Sequence, residues 1–194
     1  FDVPRILGLL GILLGPRSAG PVHERDASAI FGGICGVLRS LIRHRKDLIK
    51  PCLPHLTELL SQQWRLLSHA SSPHTGMAIE RQLHASMPCW LNMVVSPLGL
   101  DAAQAFRRVL SELAGKTSVI HVSKKAKPHT PNMNETLSKS MTKHAVYILV
   151  AYARCVTMPH TTIPPNLRRE IMPGLFALCD ICGDFERDAA LKSM

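Results

Sequence analysis

The residues that could do chemistry in this chain are its cysteines, histidines and lysines, and their spacing limits what that chemistry is. Cys179-x-x-Cys182 has the spacing of half a zinc site or of a redox pair. A closed zinc site needs a second pair of ligands, and no second CxxC and no HxxxH is present. Both cysteines also fall on or beside the apolar face of a helical pattern, where small buried hydrophobes belong. The ten histidines are dispersed, and none pairs with a Ser, Cys or carboxylate in a nucleophile context. LAGKTS (113–118) contains the GKT of a phosphate-binding loop. That loop needs a glycine where Leu110 stands and a strand before it, whereas here a helix comes first. The 14 acidic residues do not cluster, and no DxD, HExxH or GxSxG occurs, so a two-metal site is not supported. The sequence therefore points to no enzyme, no metal or cofactor and no small-molecule substrate.

The basic residues carry more information. Lys and Arg total 23 against the 14 acids, a formal charge of +9, which suits an acidic partner such as nucleic acid or an acidic protein. Arg39, Arg43, Arg45 and Lys46 bunch at the end of one helical pattern. Their plain role is favourable charge at a helix C-terminus; their sharper one is contact with RNA phosphate. Between Gly115 and Lys143 six lysines, Lys124, Lys125 and Lys127 among them, meet one acid, Glu135. A solvated loop and a phosphate-contacting arm both fit that pattern. Aromatic residues that would stack bases are missing from both clusters, so sequence-specific single-strand readout is not expected.

The elements that must position these groups are helices. Hydrophobic residues make up 46% and aromatics only 5%, with abundant Leu and Ala, which suits helix-on-helix packing. Helical spacing is expected over 3–14, over 24–45 (Ile30, Phe31, Ile34, Val37, Leu38, Leu41 and Ile42 inward) and over 47–68. In the third, Pro51 sits in the first turn and Pro54 is expected to kink the helix. SHASSPHTG (68–76) reads as a loop. A fourth helix runs to about Val95, bent near Pro88. A fifth lies within 96–115, with Asp101 as its cap and Gly115 as its stop. Periodicity vanishes over 115–137, a basic and proline-broken stretch expected as a flexible insertion in which VIHV (119–122) has strand character. Helices resume over 138–156, 166–182 and from 184 onward.

The chain starts at Phe1 on an apolar pattern already under way and ends at Met194 inside a helix, so it is expected to be one helical domain, 1–194, of a larger protein. VPRILGLLGILLG (3–15) is too short to span a bilayer, and no membrane segment is expected. The six cysteines are expected as reduced, buried thiols of an intracellular protein. The fold class is all-α, an irregular HEAT/ARM-like helical-repeat (α-solenoid) arrangement of about seven or eight helices.

KHAVYILVAYARC (143–155), followed by NLRREIMPGLFALCDIC (166–182), resembles the C-terminal domain of a nucleolar family. These are the preribosomal-associated proteins of the "unhealthy ribosome biogenesis" type, second member. The matching positions are Lys143, His144 and Tyr147, then Arg169, Glu170, Met172, Pro173, Gly174, Leu175, Leu178, Asp180 and Cys182. LIRHRKDLIKPCLPHLTELL (41–60) is similar to the family's upstream helix pair. The resemblance implies a non-enzymatic scaffold in early large-subunit (pre-60S) assembly and pre-rRNA processing, located in the nucleolus. It implies partners as well: a larger helical-repeat companion, a DEAD-box helicase and precursor rRNA. The alternative is a helical-repeat protein-binding adaptor without direct RNA contact.

The Pro173-Gly174 pair interrupts an otherwise apolar helix. It is expected to bend the helix at Pro173 and to admit a neighbouring backbone at Gly174. The neighbour expected is the 143–156 helix, with Tyr147 or Tyr152 near the gap.

Overall fold

A computed structural model describes residues 2–16, 27–70, 85–91, 97–115, 133–158 and 161–192. The expected strand at 119–122 and the three lysines 124, 125 and 127 lie outside them. Within the described residues the chain is all-helical apart from one two-residue ladder.

Helix α1 (Val3–Leu14) begins at Asp2, whose carboxylate accepts the Arg5 amide at 3.2 Å. This satisfies one of the donors that the first helical turn leaves unpaired. Pro4 occupies that same turn, where its missing N–H does no harm. Val3, Leu7, Leu10 and Leu14 are buried, and α4 is among the neighbours of α1. Helix α2 (Ala27–His44) buries Phe31, Ile34, Leu38, Leu41 and Ile42 as its spacing predicts. Val37 is exposed and Ile30 only half-buried. Seven residues apart, these two stand one above the other at the edge of the stripe.

The expected third helix is divided. It consists of a short α3 (Lys46–Ile49), a 3-10 turn (Lys50–Cys52) and α4 (Leu53–Leu67). Pro51 and Pro54 each sit in the first turn of their own element. Pro54 therefore starts a helix instead of kinking one, since a proline is cheapest where no amide bond is needed. The expected helix through Pro88 is absent from the described residues 87–91. There the chain turns, Leu91 N–H bonding the Pro88 carbonyl at 3.0 Å, and the Trp90 indole donates to the Leu13 carbonyl of α1 at 2.8 Å.

Strand β1 (His69–Ala70) pairs antiparallel with β2 (Thr161–Thr162), His69 opposite Thr162. Helix α5 (Leu100–Ala114) has Gly99, not Asp101, as its N-cap. Asp101 is the second residue of the first turn, where the helix dipole favours its charge without a capping bond. Gly115 ends α5 as expected. Helix α6 (Met133–Thr157) starts ahead of the expected Ser138. Helices α7 (Pro165–Ile181) and α8 (Asp184–Lys192) complete the chain. Leu167, Ile171, Leu175, Leu178 and Cys182 are all buried. Of the six cysteines, Cys89 is exposed and Cys179 half-buried, and the other four are buried free thiols.

Helix α5 occupies the middle, against α2, α4, α6 and α7. A chain of rings joins four of these helices. Phe31 of α2 meets Phe106 of α5 edge-on at 6.4 Å, Phe106 meets Trp64 of α4 at 4.7 Å, and Trp64 meets Tyr152 of α6 at 4.9 Å. Such pairs contribute about 0.5–1.5 kcal/mol each beyond their burial.

The Pro-Gly pair lies within a continuous α7. Pro173 is exposed, and the carbonyl its amide would have bonded belongs to exposed Arg169, where water can replace the lost donor. Gly174 is buried against α5, not against the 143–156 helix. A Cβ there would stand 2.9 Å from Leu110 Cβ and 3.2 Å from the Arg107 carbonyl oxygen. The expected close approach exists with a different neighbour, because periodicity locates a buried face without saying what covers it.

Gly174→Leu is expected to cost about 1–3 kcal/mol by overpacking, lowering the melting temperature by about 2–12 °C. Gly33→Ala meets nothing within 4 Å on exposed α2 and should raise stability by up to about 1 kcal/mol. Thermal unfolding of both variants checks this; an unchanged midpoint for Gly174→Leu would overturn the packing account.

Candidate functional site

The end of α2 and the start of α3 bring Arg39, Arg43, Arg45 and Lys46 to one corner of the molecule, at the C-terminal part of α5. Arg43 and Glu112 of α5 form a two-pronged pair, Nε donating to Oε1 at 3.1 Å and Nη2 to Oε2 at 2.9 Å. This planar fork-to-carboxylate geometry is the strongest ionic arrangement that arginine makes. The Arg43 hydrogen bonds, with the fields of Arg43, Arg39 and Lys46, hold the Glu112 carboxyl below the usual glutamate range, against a smaller opposing effect of burial. Arg43 is correspondingly raised, first by its bond to Glu112. Arg39 keeps a buried Nε without a hydrogen-bond partner among the described residues.

Arg45 turns instead to Asp47, with Nε and Nη2 each 3.4 Å from a carboxylate oxygen, and its bond lowers Asp47. Of the four cations expected here, Arg43 is bonded to Glu112, the fields of Arg39 and Lys46 reach the same carboxylate, and Arg45 pairs with Asp47. Arg108 was not singled out by the sequence. It is exposed and one turn before Glu112 on α5, which puts both residues on the same face. The i,i+4 spacing of Arg108 and Glu112 was the available signal. The link to α2, 69 residues away, had none.

The family-motif residues separate into two groups. Gly174 and Leu175 are buried at the α5–α7 contact, Met172 is half-buried, and Pro173 and Asp180 are exposed. Beside them Arg107 Nε lies 3.1 Å from Glu170, a charge contact joining α5 to α7. On α6, Lys143 is exposed, His144 half-buried and Tyr147 62% exposed. His144 and Tyr147 help to line a groove of about 610 Å³ between α4 and α6. Its α6 wall presents Tyr147, Ala151, Arg154 and Met158, and its α4 wall Pro54, Glu58, Ser61 and Arg65. Each set is spaced as a single helical stripe about three turns long.

The Cys179–Cys182 pair is not set up for reaction. Burial pushes both thiols up, Cys182 to about 11, so both stay protonated near neutral pH. Cys35 is pushed up to about 12 by the same cause. Among the described residues no group of three or more His, Cys, Asp or Glu could hold a metal ion. None of the helices so described is long and apolar enough to cross a membrane.

Comparison with known proteins follows the motif that α6 and α7 carry. The model of the Urb2/Npa2 family matches residues 1–194. The chain belongs to the Urb2/Npa2 family. No curated protein and no solved structure matches it. The Urb2/Npa2 family is linked to ribosome biogenesis and is not a known enzyme family. The match agrees with the resemblance read from Lys143, His144, Tyr147 and the Met172–Cys182 segment, and it extends over the whole chain rather than those stretches alone.

The Glu112 pair sets a pH expectation. A carboxyl held below its unfolded value adds stability above that value and loses it as pH falls through the lowered one. The melting-temperature gap between wild type and Glu112→Gln should be constant at neutral pH and shrink below about pH 4. A gap that stays constant from pH 6 to pH 3 would mean that Glu112 is not ionically held.

Proposed function

We propose that this chain is a non-catalytic scaffold segment of ribosome biogenesis, acting in early nucleolar large-subunit assembly and pre-rRNA processing. Its helices form part of an irregular HEAT/ARM-like stack that holds other assembly factors, among them a larger helical-repeat companion and a DEAD-box helicase. The basic corner supplies contact with precursor rRNA, and Lys124, Lys125 and Lys127 add to it. The supporting observation is the Arg43–Glu112 fork between α2 and α5, whose carboxylate also feels the fields of Arg39 and Lys46, with exposed Arg108 one turn before Glu112, on a chain of charge +9. Phosphate is recognised by such clusters through charge and geometry, without base readout. Glu112 orients Arg43 while leaving the corner positive. A second reading, an adaptor that binds protein and never touches RNA, draws on the α4–α6 groove.

The two readings part on salt. Structured large-subunit rRNA fragments are titrated with the chain at about 50 and 200 mM salt; three phosphate contacts predict an affinity loss of about 40-fold across that range. Arg39→Glu with Lys46→Glu and Arg108→Glu should abolish the binding, and Lys124→Glu with Lys125→Glu and Lys127→Glu should weaken it. Glu112→Gln removes the carboxylate that competes with phosphate and should tighten it. RNA binding that is absent, or that ignores both salt and these changes, would leave the protein-binding adaptor as the function.

A further inference from the structure

The groove between α4 and α6 has a charge that its walls do not neutralise. Glu58 is already engaged, accepting from Gln62 Nε2 at 3.2 Å and lying 3.9 Å from Arg65 Nη2. Arg154, on the opposite wall, has no ion pair among the described residues, and neither has Lys143, one turn before Tyr147. Large partly apolar side chains are left in water at both ends of the α6 stripe: Tyr147 is 62% and Met158 51% exposed.

We infer that this groove is a docking site for an acidic amphipathic helix of a partner protein. Two helical stripes about three turns long leave a trough between them, the shape that a third helix of about 11 residues fills. Its apolar face would cover Tyr147 and Met158, and Asp or Glu on its flanks would meet Arg154 and Lys143. RNA fits less well, since the rings on the lining are only Tyr147 and the half-buried His144, too few to stack a run of successive bases. The inference rests on the protein-contact part of the reading above. The rRNA binding proposed there is measured on other residues, so either can fail alone.

The test uses the 194-residue chain and three labelled helical peptides of about 18 residues. They share one Leu/Ile stripe and differ only in having Glu, Gln or Lys on its flanks. Fluorescence anisotropy should show the Glu-flanked peptide binding about tenfold or more tighter than the Lys-flanked one. Arg154→Glu, at an exposed position, should weaken the Glu-flanked peptide about tenfold and leave the melting temperature unchanged. Ala151→Trp, which fills the trough, should abolish binding; if that variant fails to fold, Arg154→Glu decides. Equal binding or non-binding of all three peptides overturns the proposal, as does indifference to Arg154→Glu. So does an oligouridine of about 20 nucleotides that displaces the Glu-flanked peptide as well as its unlabelled form does. Self-association of the chain that Arg154→Glu abolishes would assign the groove to a second copy instead.

Discussion

Phe106 is the side chain on which the packing of this molecule converges. It is fully buried on α5 and touches a ring from α2 and another from α4, and the α4 ring passes the contact on to α6. One turn further along α5, Leu110 is pressed against Gly174 of α7. Two adjacent turns of one helix therefore fix the placement of four others, and α5 cannot shift without disturbing both contacts. Interiors packed this closely transmit displacement instead of absorbing it. Such a frame holds its outer surfaces at set distances from one another.

The two candidate surfaces use this frame differently. The basic corner is built across the α2–α5 contact, with the Arg43–Glu112 fork as its anchor. The groove is built across the α4–α6 contact, behind which Trp64 and Tyr152 meet. Each is shaped by helices whose other faces are held in the same ring chain. The two surfaces share no side chain, so occupation of one would leave the residues of the other in place.

Much of this was legible in the sequence wherever burial follows the helical period. Leu167 through Cys182 shows it well, and so does the inward stripe of α2. The period is local, and it stops at questions about neighbours. It predicted that something presses on Gly174 and named the wrong helix, because both α5 and α6 offer apolar faces. It could not couple Arg43 to Glu112 across 69 residues. Pro54 is ambiguous for another reason: a proline marks the start of a helix as readily as a bend, and only the preceding turn at Lys50–Cys52 distinguishes the two. Asp101 has the residue type of a cap, while the backbone starts α5 after Gly99. The groove was invisible because its walls come from two separated helices. The acidic or basic character of single residues does not reveal which pairs are already satisfied.

The contact between positions 110 and 174 has a consequence for how this sequence can change over generations. With 2.9 Å between Leu110 Cβ and the place of a Cβ at 174, the side chain at 110 is a boundary condition on position 174. A larger residue at 174 becomes acceptable only after position 110 or the helix spacing gives way, and the Arg107 carbonyl blocks the alternative route. The constraint falls on position 174 first, since every residue but glycine keeps a Cβ at position 110. Pro173, one residue away and facing water, carries no such tie to α5. The motif that looks like one Pro-Gly word is therefore two letters under unequal constraint.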